Sequence, residues 1–400
     1  MKILFVLNSG FDTPGPSNHL LESIIEGFLT SNDKVHIIEK HKTGQNHDIP
    51  NSISENVNLT YDIIQVNNVQ KNNFAKRYLE DIKYAFLCLK YYRLQKDVDV
   101  VFLQSCNTAF FQLILIKLAI KKPVVFNVQD IFPLNALVSG IIKKKSIIYK
   151  ILRLLQRCAY KMSDKVIAIS DDMKKTLLNE HVQDDKVEVI YNWSYSDEII
   201  DIKDENNKFI RDNGIKDDHY KVVYAGNVGA LQNIDVIIAA AKLLKGEKAI
   251  RFYVIGDGVL KQKYIDCANK FDLKNINFYP MQPSKYAPHI YAMADINIIP
   301  LKSGIIQTAL PSKTANCLSC GKPIIACIDK SSYFSTMIDS CDKCSVIDSN
   351  DAIGLANCIN EYYKKNIKGH SILTRELFRQ KFLKSLNTQC YVDTIKKLIK

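Results

Sequence analysis

Short apolar runs rich in β-branched residues punctuate this chain, and stretches with helical spacing separate them. In the first half the runs are KILFVLNSG, KVHIIEK, DIIQV, VDVVFLQS, PVVFNVQD, DKVIAIS and KVEVIYN, with amphipathic segments such as NHLLESIIEGFL and KRYLEDIKYAFLCLKYYRL between them. Strands that are apolar throughout are buried on both faces, so their alternation with helices predicts a parallel sheet covered on each side. The rhythm pauses in NWSYSDEIIDIKDENNKFIRDNGIKDDHY, which is polar and poor in strand signals and so predicts a connection between domains. It resumes with YKVVYAG, IRFYVIGDG, INFYPM, INIIPL, PIIACI and CSVID. The pattern predicts two doubly wound α/β domains in series, residues 1–197 and 198–382, with a last helix over 383–400 expected to return to the first. In such sheets ligands bind beyond the carboxyl ends of the strands, and with two domains the expected site is the cleft between them.

Composition narrows the partners. The chain has 400 residues, enough for two domains of ordinary size, and 47% hydrophobic content excludes disorder of the whole. Its formal charge of +12, from 54 Lys and Arg against 42 Asp and Glu, favours anionic partners. Nucleic acid is disfavoured, because the basic residues are scattered and no aromatic-basic module is recognisable. MKILFVLNSG reads as a first buried strand, its apolar run being too short for a signal core, and AFFQLILIKLAI is too short to span a bilayer. The expectation is a cytoplasmic protein or one peripheral to a membrane.

Eleven cysteines without compact spacing read as mostly reduced. Cys317-x2-Cys320 and Cys341-x2-Cys344 have the spacing of a four-Cys zinc site. The first pair falls in a helix rather than on a knuckle turn, which favours buried thiols and no metal.

KKKSIIYKILRLLQRCAYKMSDK predicts an amphipathic helix. Ile147, Ile148, Ile151, Leu152, Leu154, Leu155, Cys158 and Ala159 share one face, expected to pack on the helix's own sheet. Lys150, Arg153, Arg157 and Lys161 share a solvated basic face. Lys143, Lys144 and Lys145 are harder to explain as packing, and a rim touching anionic lipid is the functional reading.

Three strand-end loops carry the candidate chemistry. YAGNVGALQNID places Gly226 and Gly229 between a strand and a helix, where glycine lets backbone amides approach a phosphate. VIGDG repeats the arrangement with Gly256, Asp257 and Gly258. In TALPSKTANCLSCGKP, Pro311 presets a turn, Ser312 is expected to cap the next helix and Lys313 to lie in its first turn. A cation there opposes the helix dipole unless an anion binds nearby, and Lys302 after INIIPL is placed to converge on the same anion.

Taken in order, YAGNVG, VIGDG, ADINIIPL and LPSK ahead of CGKPIIA resemble the nucleotide-sugar domain of family-four retaining glycosyltransferases with the GT-B fold. More closely, they resemble the branch containing fucosamine transferases of bacterial surface-polysaccharide pathways. VQDIFP resembles that branch's Asp-x-x-Pro loop, and IAISDDM and VIYNW its later signatures. The resemblance covers essentially the whole chain. It implies two Rossmann-like domains facing a central cleft, a UDP-sugar donor on the second, a lipid-linked oligosaccharide acceptor on the first, and neither cofactor nor metal. O-antigen, capsule or exopolysaccharide assembly at the inner face of the cytoplasmic membrane is the implied setting. Gly226, Asn227, Gly229, Gln232, Gly256, Asp257, Lys302, Leu310, Pro311, Ser312, Lys313 and Thr314 would then serve the donor, with Met281 and Gln282 beside the base. Gly15, Pro16 and Asp130 would line the acceptor side.

The departures are specific. Many relatives carry two Glu separated by seven residues, and the matching positions here are Thr308 and Asn316, both uncharged. An Arg and a Lys of the first glycine loop become Asn227 and Gln232, and an acceptor-loop His becomes Gln129. Lys313 is the candidate replacement for the missing cations, and Lys313, Asp130, Asn316 and Thr308 are the candidate catalytic set. A catalytically silent binding subunit and a UDP-sugar epimerase of the same fold are the competing readings.

Overall fold

Each of the thirteen apolar runs contains a strand, and among the described residues every strand pairing is parallel. In this computed structural model, which describes residues 1–11, 18–44, 49–69, 73–216 and 218–399, the first sheet comprises β1 (Lys2–Leu7), β2 (Lys34–Lys42), β3 (Leu59–Val66), β4 (Val100–Gln104), β5 (Val124–Val128), β6 (Lys165–Ala168) and β7 (Val187–Val189). Its order is β3-β2-β1-β4-β5-β6-β7. The second sheet comprises β8 (Tyr220–Ala225), β9 (Ile250–Ile255), β10 (Ile276–Tyr279), β11 (Ile296–Pro300), β12 (Ile324–Cys327) and β13 (Ser345–Ile347), in the order β10-β9-β8-β11-β12-β13. The central strands β4, β5, β8, β11 and β12 are buried at every residue, which is why their sequences do not alternate. In each sheet the order reverses once, between β1 and β4 and between β8 and β11. Those are the topological switch points where this architecture opens a crevice at the strand ends.

Helix starts are encoded locally. In IAISDDM, the Ser170 hydroxyl accepts from the Met173 amide, and Asp171 and Asp172 put negative charge at the positive end of the helix Asp171–Asn179. Asn73 and Ser146 cap Phe74–Leu94 and Ile147–Met162 in the same way.

The chain forms two compact units, 193–383 and 1–192 together with 384–400. The first division falls at 192/193 rather than 197/198, because the polar connection is bonded into the second unit. The Ser194 hydroxyl donates to Asn316 at 2.8 Å and the Ile200 amide to the Ser319 carbonyl at 3.1 Å. The final helix, Lys384–Lys397, lies against Asn18–Thr30. Gly27 leaves room for it, since a Cβ there would meet Thr388 at 2.8 Å. Tyr391, 1% exposed, reaches Phe102 of β4 (centroids 6.2 Å apart) and donates its hydroxyl to Asn127 at 2.9 Å.

The helix Ile147–Met162 departs from expectation. Only Leu152 and Ala159 of its predicted apolar face are buried, beside Tyr149, Gln156 and Tyr160, while Ile147, Ile148, Ile151 and Leu154 are exposed. The apolar arc is wider than the contact with the unit, so only one flank of it is covered. Arg153 and Arg157 are not simply solvated either, because both bind the buried Glu180, at 2.6 and 2.7 Å.

Replacing Tyr391 with Ala is expected to cost about 3–5 kcal/mol of stability, whereas Tyr391→Phe should cost about 1. Hydrogen exchange followed by mass spectrometry checks this, since protection should fall in 1–192 and hold in 193–383.

Candidate functional site

The second unit's switch point lies between β8 and β11, and four strand-end segments meet around it. Gly226 follows β8 with φ +140° and Gly256 follows β9 with φ +146°. Few side chains tolerate that region, and here there is also no room, because a Cβ on Gly256 would lie 1.9 Å from the Gly226 carbonyl oxygen. The Gly226 amide donates to Ile255 at 2.9 Å, and the Val228 amide to Asp257 at 2.9 Å, so the two loops are bonded backbone to backbone. Asn227 folds back over Gly229 and Gly258. Its side-chain atoms lie 2.6 and 2.7 Å from where their Cβ atoms would be. Asn227 therefore shapes the loop, and a side chain at Gly229 would displace the Asn227 amide.

Lys313 comes from the far side of the switch point, ahead of the helix Thr314–Cys320. It is buried, with Nζ 3.8 Å from the centroid of the Tyr224 ring and 3.1 Å from the position of a Cβ on Gly226. The Tyr224 hydroxyl donates to the Asn227 carbonyl at 2.6 Å, which holds the ring as a platform for the ammonium. No carboxylate among the described residues accompanies it, and burial pushes the Lys313 ammonium down to about 7. Beside it the Thr314 hydroxyl is buried without a hydrogen-bond partner, as is the amide oxygen of half-buried Gln232. A buried cation beside a glycine turn, with unpaired polar groups next to it, lacks the opposite charge and hydrogen bonds that an anion would supply.

The remaining loops are pinned in place. The Lys302 amide donates to the Leu231 carbonyl at 3.0 Å, joining the β11 end to the β8 loop. Asp329, just past β12, accepts from the Gly304 amide at 2.7 Å and from the Ser303 hydroxyl. Asp257 accepts from the Met281 amide at 2.7 Å and from Lys261 at 2.9 Å, and these bonds hold its carboxyl below the usual range. It acts as a clamp on the 280–282 loop, in which Met281 is 55% exposed and the Gln282 amide donates to the Pro280 carbonyl.

Several sequence expectations shift. Ser312 is exposed and makes no capping bond, while Lys313 itself is the N-cap residue and its side chain makes no capping bond either, so the helix start has no side-chain cap. Thr308 is buried with its hydroxyl given to the Ile305 carbonyl at 3.0 Å, and Asn316 accepts from Ser194. Both side chains are engaged within the unit. Leu310 is buried and Pro311 half-buried, and the Pro311 carbonyl accepts from the Thr314 amide at 3.0 Å. In the first unit Asp130 is exposed just past β5, while Gln129 bridges Asn127 (3.2 Å) and Asn192 (2.8 Å). Gly15 and Pro16 lie outside the described residues. Cys317 and Cys320 are buried on a helix, all eleven cysteines are free, and among the described residues no three His, Cys, Asp or Glu gather as metal ligands. Sequence reasoning missed Tyr224, Asp329 and Lys261. Tyr224 reads as core within an apolar strand, but Asp329 had a signal, as the first carboxylate beyond a strand end.

Gly256→Ala is expected to destabilise the protein by about 2–4 kcal/mol. Gly246→Ala, where a Cβ meets open space, should stay within about 0.5 kcal/mol of wild type or gain stability. Thermal unfolding of the two variants side by side checks the contrast.

Residues 205–375 match the family model "Glycosyl transferases group 1" and residues 16–193 match "Glycosyltransferase Family 4". The chain is 29% identical over 333 residues to "Probable glycosyltransferase WbjE" of Pseudomonas aeruginosa, covering 82% of each. Its fold is similar to that of HepE from Anabaena, solved in complex with UDP, at TM-score 0.70, 16% identity and coverage of 99% and 100%. It is also similar to the lipopolysaccharide outer core galactosyltransferase WaaB, at TM-score 0.64, 12% identity and coverage of 98% and 99%. One matched segment lies in each parallel-sheet unit, and with the WbjE match and the two-unit fold they support a GT-B glycosyltransferase.

Proposed function

We propose that the Gly226 turn and Lys313 receive the diphosphate of a UDP-sugar, and that the protein transfers the sugar with retention to a lipid-linked saccharide in surface-polysaccharide assembly. The buried, unpaired ammonium of Lys313 over Tyr224 carries the reading. An uncompensated cation costs stability, and a diphosphate both pairs it and satisfies the Thr314 hydroxyl. The complex of HepE with UDP supports the donor class, and the similarity to WaaB, a lipopolysaccharide outer core galactosyltransferase, supports the setting.

In the proposed reaction the bond from the anomeric carbon to the phosphate oxygen breaks, and its electron pair stays on the diphosphate. The acceptor hydroxyl attacks from the same face, and its proton passes to a phosphate oxygen. Lys313, Lys302 and the turn amides of Asn227 and Gly229, whose neighbours Gly226 and Val228 are bonded to Ile255 and Asp257, stabilise the developing charge without a metal ion, and Met281 and Gln282 flank the base. Such a step needs positioned phosphate more than a carboxylate, which agrees with uncharged Thr308 and Asn316. A donor with few ionic contacts, a deoxy or N-acetylated hexose as in the fucosamine branch, suits that neutral surface. Asp130 is assigned to the acceptor side. The engagement of Thr308 and Asn316 within the unit favours a second reading, a catalytically silent subunit that binds nucleotide only.

The test is a panel of UDP- and GDP-sugars scored for binding and for transfer, with the product anomer read by NMR. Transfer with retention is expected, and Lys313→Met should lower kcat by about 10²–10³ without unfolding the protein. Binding with no transfer to any lipid-linked acceptor supports the silent subunit, and failure to bind any of them sinks both readings. The pH dependence is a further check. Free Lys313 titrates near 7 and a bound diphosphate raises it, so binding takes up a proton above that pH. UDP affinity should fall by up to about tenfold per unit as pH rises above about 7, and Lys313→Met should flatten the profile.

A further inference from the structure

The geometry points to a membrane-docking face on the first unit: we propose that the outer surface of three neighbouring helices binds an anionic lipid bilayer. The helix Ile147–Met162 leaves Ile147, Ile148, Ile151 and Leu154 exposed by 74, 63, 51 and 63%. At 100° per residue they occupy, with half-buried Leu155 and Cys158, an arc of roughly 120°. The buried residues Tyr149, Leu152, Gln156, Ala159 and Tyr160 lie to one side of this arc. The apolar arc is therefore surplus to the helix's packing on its own unit. A row of large aliphatic side chains in water is unfavourable by its apolar area, and its regular helical spacing marks an interaction face.

The face extends beyond one helix. Right-handed crossovers put Phe74–Leu94, Ala109–Ala119 and Ile147–Met162 on the same side of the first sheet, each packed on the next. Phe74 and Tyr78 join Phe132, Tyr149 and Leu152 in one cluster, which ties the first of these helices to the third. On that first helix Leu79 and Phe86 are also exposed, by 64 and 56%, with exposed Lys83 and Lys90 interleaved.

Charge selects the occupant. Exposed Lys143, Lys144 and Lys145 lead into the apolar arc and exposed Lys150 borders it. Residues 131–163 contain no Asp or Glu. Arg153 and Arg157 are turned to Glu180, so the lysines supply the outward charge. An apolar arc edged by lysines fits the boundary between anionic headgroups and acyl chains, where the aliphatic groups enter the lipid and the ammoniums stay with phosphate. The helix is 16 residues long, and among the described residues none is long and apolar enough to cross a membrane, so this contact lies in the surface plane. The inference does not depend on the transferase reading, and a failed donor screen would leave it standing.

Flotation of the full chain with phosphatidylcholine vesicles containing phosphatidylglycerol tests it, against pure phosphatidylcholine. The chain should float with the anionic vesicles, and the paired substitution Ile148→Glu with Ile151→Glu should weaken binding at least about tenfold while leaving thermal unfolding unchanged. Lys143→Gln, Lys144→Gln and Lys145→Gln together should erase the preference for anionic lipid and much of the salt sensitivity. The proposal is overturned if the wild-type chain stays unbound, or if the paired glutamates float as well as wild type. A concentration-dependent dimer that the same glutamates disperse, without flotation, would assign the face to a second copy and overturn it as well.

Discussion

The carbonyl oxygen of Gly226 occupies the space that a side chain at Gly256 would need, and the strand-end geometry of the second unit depends on that contact. Parallel pairing of β8 with β9 brings the two strand ends to the same level, and only glycine at both lets their loops bond to each other. Because the Gly226 turn is bare, Lys313 can lie against it and over Tyr224. A side chain at either glycine would move the turn or evict the ammonium. The clamps at Asp257 and Asp329 then hold the neighbouring loops to this arrangement.

Burying an ammonium without a carboxylate is unfavourable, and a protein selected only for stability would place a neutral side chain there. The cost is tolerable because Tyr224 offers a partial π contact and because the unit has a large core elsewhere. The same reasoning applies to the exposed aliphatic arc of Ile147–Met162. It too contributes nothing to the folded state in water, and both features make physical sense when a second molecule completes them. In each case the local rule is broken at a place where a partner of opposite or complementary character would restore it.

Much of the fold was legible. Strands such as VVFLQ and VVFNV are apolar at every position because both faces are covered, so parallel sheets followed from the sequence without further help. The glycine turns were legible for a similar reason, since their position after a strand and before a helix leaves few alternatives. The side-chain roles around them were not. Asn227 reads as a ligand contact but fills the space over Gly229 and Gly258, and Ser312 reads as a cap but is exposed. Asn316 reads as a site residue, yet Ser194, distant in sequence, holds its side chain. Periodicity says which face of an element is apolar, but not how much of that face a neighbour covers, so the exposed flank of Ile147–Met162 was also missed.

The two α/β units, their parallel sheets, the glycine turns and the basic character of the chain can be read from the residues alone, because they follow from local periodicity, turn chemistry and composition. Packing between distant elements, by contrast, settled that Lys313 is buried over Tyr224, and that Tyr391 ties the last helix to β4 and Asn127 in the first unit. It also decided that one aliphatic flank is left in water. Those outcomes depend on which distant elements meet and how completely they cover one another, and nothing within the span of a strand or a helical turn specifies that.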